Sequence, residues 1–138
     1  MSETGGVPPL VPEPDPVSAP FWDACRRHEL VVQTCTACGR ARYHPRPMCP
    51  HCGSMEHTWE PASGDAVLYS WVVAHRPVLP ALADRVPLPI VLVELPEGVR
   101  MVGNLAGDAG ELVIGMPMRV AWVDVTGTCA LPAWRPAG

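Results

Sequence analysis

The sequence contains no lysine, because all ten of its basic residues are arginine. Schiff-base chemistry, which needs a lysine amine, is therefore excluded. No apolar run approaches the ~20 residues that a membrane-spanning helix requires. The first ten residues lack both the basic and the apolar segment of a signal peptide. With 48% apolar and 17% charged residues, the chain is predicted to be a folded, cytoplasmic protein.

The motifs of self-sufficient enzymes are also missing. The sequence has no G-x-S-x-G, no glycine loop for phosphate and no H-E-x-x-H. The nearest polar pair in its second half is His75 with Arg76, and a single histidine at a strand end is more often structural than catalytic. We therefore predict no catalytic residues and expect that the chain is not an enzyme by itself.

Proline and glycine are abundant, with eighteen and twelve residues, and they argue against a helical bundle. Five prolines between positions 8 and 16 predict an extended leader over residues 1–17. Ser18 is a suitable N-cap and Pro20 suits a first turn, which predicts a short helix within residues 18–30. Its neighbouring Phe21 and Trp22 either cover the core of the next module or anchor the chain to another subunit.

The second half of the chain predicts short strands. Alternation places Val67, Tyr69, Trp71 and Val73 on one face of the first strand. Turn signals separate the predicted strands, which cover residues 66–74, 89–95, 99–105, 116–125 and 129–134. A five-stranded closed barrel over residues 61–138 would leave no free sheet edge. The apolar loop 76–88, with Leu79 and Leu82, is too long for a hairpin turn and is predicted to be functional or mobile.

Four cysteines form the strongest motif. Cys35-x2-Cys38 and Cys49-x2-Cys52 are separated by ten residues, and a glycine follows each pair. Such a pattern is typical of a rubredoxin-like zinc ribbon, here residues 31–60, with one structural Zn2+ inside four thiolates. A complete thiolate shell leaves no position for substrate. We expect His44, His51 and His57 to be surface residues, and Cys25 and Cys129 to behave as small apolar residues.

Charge is unevenly distributed along the chain, whose net charge is −4. Residues 25–52 contain five arginines and one acid, whereas residues 53–138 contain five arginines and nine acids. An acidic protein with one basic region is poorly suited to follow a nucleic-acid backbone. It could still hold one phosphorylated small molecule, or the arginines could serve solubility alone.

The order of these motifs resembles the acyl-CoA-associated zinc-ribbon/OB-fold family, known as domain of unknown function thirty-five. The resemblance covers residues 12–136, and its most specific segments are Pro14-Asp15-Pro16, Pro20-Phe21-Trp22, Cys35-x2-Cys38-Gly39, Tyr43-His44-Pro45-Arg46-Pro47, Cys49-Pro50-x-Cys52-Gly53-Ser54, Val67-Leu68-Tyr69-Ser70-Trp71, His75-Arg76-Pro77 and Ile114-Gly115-Met116-Pro117. It implies a mainly β fold, with a short helix, a zinc ribbon and a C-terminal OB-fold barrel.

The resemblance also implies a role. Members of this family look like non-catalytic subunits of thiolase-superfamily enzymes that act on acyl-CoA thioesters, in steroid or other lipid degradation, and some assemble with MaoC-type hydratases. The sequence starts directly on the Pro-rich leader, so we expect that a hydratase, if one joins the complex, would be a separate partner. The alternatives are a nucleic-acid-binding module, which zinc ribbons and OB-folds form elsewhere, and a scaffold that touches no ligand.

Two sets of residues are then candidates for contacts outside the chain. Arg42 and Arg46 are expected to approach the phosphates of CoA, because guanidinium groups bind phosphate through two hydrogen bonds. The predicted partner interface combines aromatic anchors with the long loop and the polar pair at its base: Phe21, Trp22, His75, Arg76, Leu79 and Leu82.

Overall fold

The structure is a computed structural model that describes residues 11–137 of the chain. The first ten residues of the predicted leader lie outside this range. The described part contains one α-helix, α1 (Ala19–Arg26), and two short 3-10 turns, Pro80–Leu82 and Ala109–Glu111. Its strands are β1 (Val31–Cys35), β2 (Ala41–Arg42), β3 (His57–Pro61), β4 (Asp65–Ala74), β5 (Leu88–Glu94), β6 (Arg100–Asn104), β7 (Pro117–Thr126) and β8 (Cys129–Pro136).

Helix α1 is shorter at both ends than the predicted range of residues 18–30. Ser18 makes no side-chain cap hydrogen bond; Asp15 accepts the Ser18 N–H at 2.7 Å, and its own N–H donates to the Ser18 hydroxyl at 3.1 Å. At the other end His28 adopts φ +57°, and the N–H of Glu29 donates to the carbonyl of Ala24. This is a Schellman motif, which ends a helix because the left-handed residue cannot continue it.

The ribbon contains a three-stranded antiparallel sheet in the order β2-β1-β3. Gln33 of β1 lies opposite Arg42 of β2 and Trp59 of β3. The side chains of β3 are only half-buried or exposed. β3 therefore depends on pairing with β1 more than on an apolar face of its own.

The five strands of the predicted barrel are all present, each within two residues of its predicted bounds. They form a sheet in the order β6-β5-β4-β7-β8. A parallel bridge between Leu105 and Trp134 connects its two ends, and the N–H of Ala106 donates to the carbonyl of Trp134 at 2.7 Å. The sheet is thus closed in the manner of an OB-fold.

A single hydrophobic core joins the helix, the ribbon and the barrel. Phe21 and Leu30 belong to the same buried cluster as the barrel residues Leu68, Met101 and Trp134. The N–H of Ala62 donates to the carbonyl of Leu30 at 2.8 Å, so the chain enters the barrel beside the start of the ribbon. No helix within residues 11–137 is long and apolar enough to cross a membrane.

Candidate functional site

The two cysteine pairs form matching turns. Gly39 and Gly53 have φ of +79° and +82°, and each N–H donates to the carbonyl of the first cysteine of its pair at 2.9 Å. Glycine is favoured at both positions because other residues rarely adopt such angles. The turns also direct an N–H toward the sulfur of each first cysteine, at 3.4 Å in both cases. Both turns therefore fit the rubredoxin-like zinc ribbon that the cysteine spacing predicted.

The four cysteine sulfurs converge, as the sequence predicted, with all Sγ atoms within 4.8 Å of one another. Sγ of Cys35 is 3.6 Å from that of Cys52, and Sγ of Cys38 is 3.7 Å from that of Cys49. A tetrahedral zinc with Zn–S bonds of about 2.3 Å requires sulfurs roughly 3.8 Å apart. The residues therefore fit a four-thiolate metal, and none of the four forms a disulfide.

The pKa values of the cysteine thiols are shifted in different directions. The Cys38 N–H that donates to the Cys35 sulfur is the main reason that the pKa of Cys35 falls to about 6. Burial opposes the ionisation of Cys49, yet N–H donors of His51 and Cys52 lower its pKa overall. The N–H of Ser54 favours ionisation of Cys52, but hydrogen bonding to Cys35 and burial outweigh it and raise its pKa to about 11. A bound cation would favour deprotonation of all four.

The neighbouring histidines lie outside this cluster. Among residues 11–137, the four cysteines are the whole of the group that could hold a metal ion. His51 Nδ1 lies 2.9 Å from a terminal nitrogen of Arg40, His44 stacks on Tyr43, and His57 packs edge-on against Trp59.

The two remaining cysteines differ in burial. Cys25 is fully buried, and burial together with nearby Cys129 raises its pKa to about 12, so it remains a neutral thiol as predicted. Cys129 is half-buried at the start of β8.

Arg42 and Arg46 lie close together, but their side chains differ in solvent exposure. Arg42 is only 6% exposed and donates to the backbone carbonyl of Arg46 at 3.0 Å. The buried Gln33 side chain holds the Arg46 backbone from both sides, accepting its N–H at 2.8 Å and donating to its carbonyl at 2.9 Å. Arg46 keeps an exposed side chain. The contact of both guanidinium groups with CoA phosphates stays a prediction, with Arg42 largely buried and Arg46 exposed.

The two aromatic anchor candidates differ in how far they are buried. Phe21 is 1% exposed, with its ring centroid 5.0 Å from that of Trp22 and 5.6 Å from that of Tyr43. Of the two predicted roles, it therefore takes that of a core residue and is not available to a partner. Trp22 is half-buried and lines a crevice of about 340 Å³ with Arg85 and Val102.

The predicted interface loop is exposed along most of its length. His75 and Arg76 are exposed at its base, and Val78 and Leu79 are 81% and 46% exposed. Leu82 is half-buried at the end of a 3-10 turn, so it is less available than predicted. Arg85 brings the far end of the loop to the crevice that Trp22 lines. The structure thus places Trp22 and one end of the loop side by side.

The outer side of β4, β5 and β6 carries an apolar face that sequence periodicity misassigned. A bulge between Leu68 and Ser70 interrupts the alternation of β4. Consequently Trp71 and Val73 do not share a face with Val67 and Tyr69, as simple alternation predicted. The exposed or half-exposed apolar residues of this outer side include Val67, Tyr69, Val72, Leu92 and Val102, and these five are hereafter called the apolar face. Val102 also lines the Trp22 crevice, so the two surfaces are continuous.

Comparison with known proteins supports both halves of the fold. Residues 22–58 match the model of the rubredoxin-like zinc ribbon domain of ChsH2, and residues 59–123 match that of its C-terminal OB-fold domain. A solved structure described as "Ltp2-ChsH2(DUF35) aldolase" is 39% identical, with a TM-score of 0.81, over 91% of this chain and 98% of that one. A DUF35 protein of unknown function from Sulfolobus solfataricus shares the fold, with 15% identity and a TM-score of 0.62 over 88% of this chain and 86% of that one.

Two curated relatives are longer proteins. A probable enoyl-CoA hydratase alpha subunit of Thermomonospora curvata is 43% identical over 85% of this chain and 37% of its own length. The 3-oxo-4,17-pregnadiene-20-carboxyl-CoA hydratase alpha subunit of Mycobacterium tuberculosis is 38% identical over 95% of this chain and 45% of its own length. The chain thus spans less than half of each of these relatives. From the matched domains and the solved relative together, the chain belongs to the ChsH2-type zinc-ribbon/OB-fold family, DUF35.

Proposed function

We propose that this chain is a non-catalytic accessory subunit, and that it binds a thiolase-like partner acting on acyl-CoA thioesters. The observation that carries the proposal is its likeness, along almost the whole of both chains, to the solved protein described as an Ltp2-ChsH2(DUF35) aldolase. The pregnadiene-carboxyl-CoA name of one curated relative supports a steroid side chain as the acyl group. The hydratase names of both relatives support a hydratase as a further member of the complex.

The zinc ribbon would have a structural part in this function. We propose one Zn2+ per chain, held by Cys35, Cys38, Cys49 and Cys52. The sulfur separations and the N–H donors aimed at sulfur support this assignment. Four thiolates complete a tetrahedral shell, so such an ion would hold the ribbon together and bind no substrate. The partner would supply the groups that make or break the carbon–carbon bond.

The apolar face is the surface that we propose for the thiolase-like partner. Val72 is 60% exposed and Val102 48% exposed, and both lie on strands whose other sides are part of the core. The continuity of the face with the Trp22 crevice, and through Arg85 with loop 76–88, supports one extended docking surface. Large apolar surfaces of this kind are typical of subunit interfaces.

The same face argues against nucleic acid as the ligand. Single-stranded nucleic acids bind OB-folds where aromatic platforms are combined with a positively charged groove. On the apolar face the aromatic Tyr69 is covered by Arg100, whose guanidinium carbon lies 3.8 Å from the ring centroid. Valine and leucine make up the rest of the face. Apolar contact with a protein therefore fits this surface better than base stacking.

Co-expression with a thiolase-like aldolase of the same organism tests the proposal. We expect the two proteins to co-purify, and acyl-CoA turnover to require the partner. The double variant Val72→Asp/Val102→Asp should lose the partner while keeping its zinc content and melting temperature, because both side chains point to solvent. Val113→Asp is the matched control, since Val113 is 64% exposed but lies outside the apolar face. Normal co-purification of the double variant would place the interface elsewhere, and turnover by this chain alone would refute a non-catalytic role.

The loop is tested in the same assay. Leu79→Asp should weaken co-purification if loop 76–88 extends the docking surface, and its exposure makes loss of folding an unexpected result. Leu82→Asp is less informative, because this side chain is half-buried.

A further inference from the structure

The crevice that Trp22 lines lies at the seam where the barrel closes. Leu105 lines it at that seam, and strands β7 and β8 contribute Val123 and Leu131. Tyr43 of the ribbon also lines it, so the helix, the ribbon and the barrel all take part. Its volume, about 340 Å³, is within the range of small-molecule sites, roughly 300–1,000 Å³. The crevice is therefore large enough to hold a ligand.

Buried aromatic side chains support two parts of this crevice. Gly103 lines it and packs so closely against Trp134 that an added Cβ would lie 3.0 Å from Cδ1 of the indole. Trp134 is itself fully buried. Phe21, which is 1% exposed, packs edge-on against Trp22 with ring centroids 5.0 Å apart. The core therefore holds these parts of the lining in place, and a ligand would bind without the cost of ordering them.

Three polar side chains interrupt a lining that is otherwise mostly valine, leucine, alanine and proline. They are the guanidinium of Arg85, the carboxamide of Asn104 and the hydroxyl of Tyr43. Among residues 11–137, none of the three makes a side-chain hydrogen bond or an ion pair. Arg85 is exposed, and Asn104 and Tyr43 are half-buried, so none of these residues is closed off from the crevice. An apolar cavity with a few available polar groups is typical of a ligand site.

The charge of the lining indicates what kind of ligand would fit. Arg85 is the only charged side chain that lines the crevice among residues 11–137, and no carboxylate of the lining offsets it. Attraction between charges is stronger beside an apolar wall than in bulk water, so an anionic group is favoured here. A carboxylate matches a single guanidinium in charge, and its two oxygens accept the paired hydrogen bonds that the guanidinium offers.

We propose that this crevice binds a small apolar carboxylate, meaning a ring system or short chain that carries one acidic group. Its apolar body would contact Trp22, Val123 and Leu131, and its carboxylate would accept hydrogen bonds from Arg85. The carboxamide of Asn104 is available for a further hydrogen bond. This inference goes beyond the proposed function, because it gives the chain a ligand site of its own that forms without a partner.

Titration of the full-length chain, followed by amide and indole N–H NMR signals, tests the site. The probes are 2-naphthoate and 2-naphthamide, its neutral counterpart of nearly equal shape. 2-Naphthoate should shift the signals of Trp22, Val123 and Leu131, and it should bind about tenfold more tightly than 2-naphthamide. The absence of shifts at millimolar 2-naphthoate, or shifts confined to other regions, would overturn the proposal. Equal affinities for the two probes would overturn the assignment of a carboxylate.

The charge of Arg85 is tested by a variant that keeps its polarity. Arg85→Gln should lower the affinity for 2-naphthoate about tenfold, which is the low end expected for hydrogen bonds to a charged group, and leave that for 2-naphthamide unchanged. The matched control is Arg135→Gln, since Arg135 is exposed on β8 and does not line the crevice. Unchanged 2-naphthoate binding in Arg85→Gln, or an equal loss in both variants, contradicts a carboxylate held by Arg85.

The position of the site is tested by filling the crevice. Val123→Trp should abolish binding of both probes without lowering the melting temperature, because Val123 is 43% exposed and has room to be enlarged. Val113→Trp, at a 64% exposed position outside the crevice, should bind both probes as wild type does. Wild-type binding by Val123→Trp would show that the ligand lies elsewhere and would overturn the proposal.

A side chain of the partner is the competing occupant, and the same variants distinguish it. If 2-naphthoate binds to the isolated chain as described, the ligand site stands whether or not a thiolase-like partner is found. If 2-naphthoate does not bind, while Val123→Trp loses the partner in the co-purification assay, the crevice receives a partner side chain. That result would overturn the ligand site and leave the proposed function intact.

Discussion

The ribbon and the barrel reach a defined structure by different means. The barrel has a core of large apolar side chains, among them Leu68, Val91, Met101 and Trp134, each no more than 1% exposed. Between β1 and β3 the fully buried side chains are instead Gln33, Cys35 and Cys49, with Val32 at 2%. The ribbon therefore depends on sulfur, on hydrogen bonds to backbone and on its contact with the barrel. One chain thus shows that a small module can replace apolar volume with directed polar contacts.

Removal of the proposed zinc should produce the largest difference between the two regions. Structural zinc in such modules contributes on the order of 10 kcal/mol to folding. With a chelator, or in Cys35→Ser, amide NMR signals of residues 31–60 should collapse, while those of β4 to β8 stay dispersed. Metal analysis should find about one zinc per wild-type chain. Cys129→Ser is the control and should keep its metal. If the ribbon remains folded without metal, the proposal that sulfur ligands replace an apolar core in this region is wrong.

A large-to-small substitution in the barrel core should destabilise the barrel, whereas loss of zinc should mainly affect the ribbon. Trp134 is fully buried, and its carbonyl accepts the N–H of Ala106 at the barrel closure. Trp134→Ala should lower the free energy of unfolding by about 3–5 kcal/mol, because it leaves a cavity. Urea unfolding measures this loss. Trp22→Ala, at a half-buried position, should lower the free energy of unfolding clearly less. Equal losses in the two variants would mean that apolar burial in the barrel is not the main source of stability.

The polar contacts at the centre of the ribbon should contribute less to the free energy of unfolding than either the zinc or Trp134. Gln33 makes two hydrogen bonds to the backbone of Arg46. Gln33→Met keeps the volume but leaves these groups unpaired, which should cost roughly 1–3 kcal/mol in urea unfolding. Gln33→Glu keeps the acceptor and loses the donor, so it is expected to disrupt one of the two bonds. If Gln33→Met is as stable as wild type, directed polar contacts do not hold this region.

The smallest effect concerns the segment before α1. Hydrogen bonds from Ser18, first of all from its N–H, hold the pKa of Asp15 below its usual 3.8. Because the folded-state pKa is lowered, this stabilisation is present above the unfolded-state pKa and is lost as pH falls through the folded value. Asp15→Asn retains a capping side chain that does not titrate. Melting temperatures of the two proteins should therefore converge as the pH falls below 3.8, and a constant difference would exclude Asp15 as the cause.

The features that the sequence predicted well are those encoded by neighbouring residues. Both cysteine turns depend on a pattern of five residues, and the barrel strands on local alternation and turn residues. The reciprocal hydrogen bonds between Asp15 and Ser18 were missed, although a spacing of three residues is typical of such pairs. Ser18 is the N-cap residue, as predicted, but its hydroxyl accepts from the N–H of Asp15 and makes no cap hydrogen bond to the helix.

The features that sequence could not supply depend on packing between distant segments. Arg42 is buried because the ribbon lies against the β5–β6 turn, some fifty residues further along the chain, and its composition gives no sign of this. The bulge in β4 exchanges the faces of Trp71 and Val73 relative to simple alternation. β3 has no apolar periodicity and forms through its partner β1. Phe21 became a core residue because Tyr43 and Trp22 surround it.

Closure of the barrel restricts how any protein can recognise this chain. With the ends of the sheet joined at Leu105 and Trp134, β6 and β8 are not free to accept an added strand along that seam. Recognition by β-augmentation, which reads backbone and tolerates almost any side chain, is thereby disfavoured there. A partner must instead read side-chain shape on the outside of the strands. Changes at a few such positions could redirect the chain to a different partner without altering its fold.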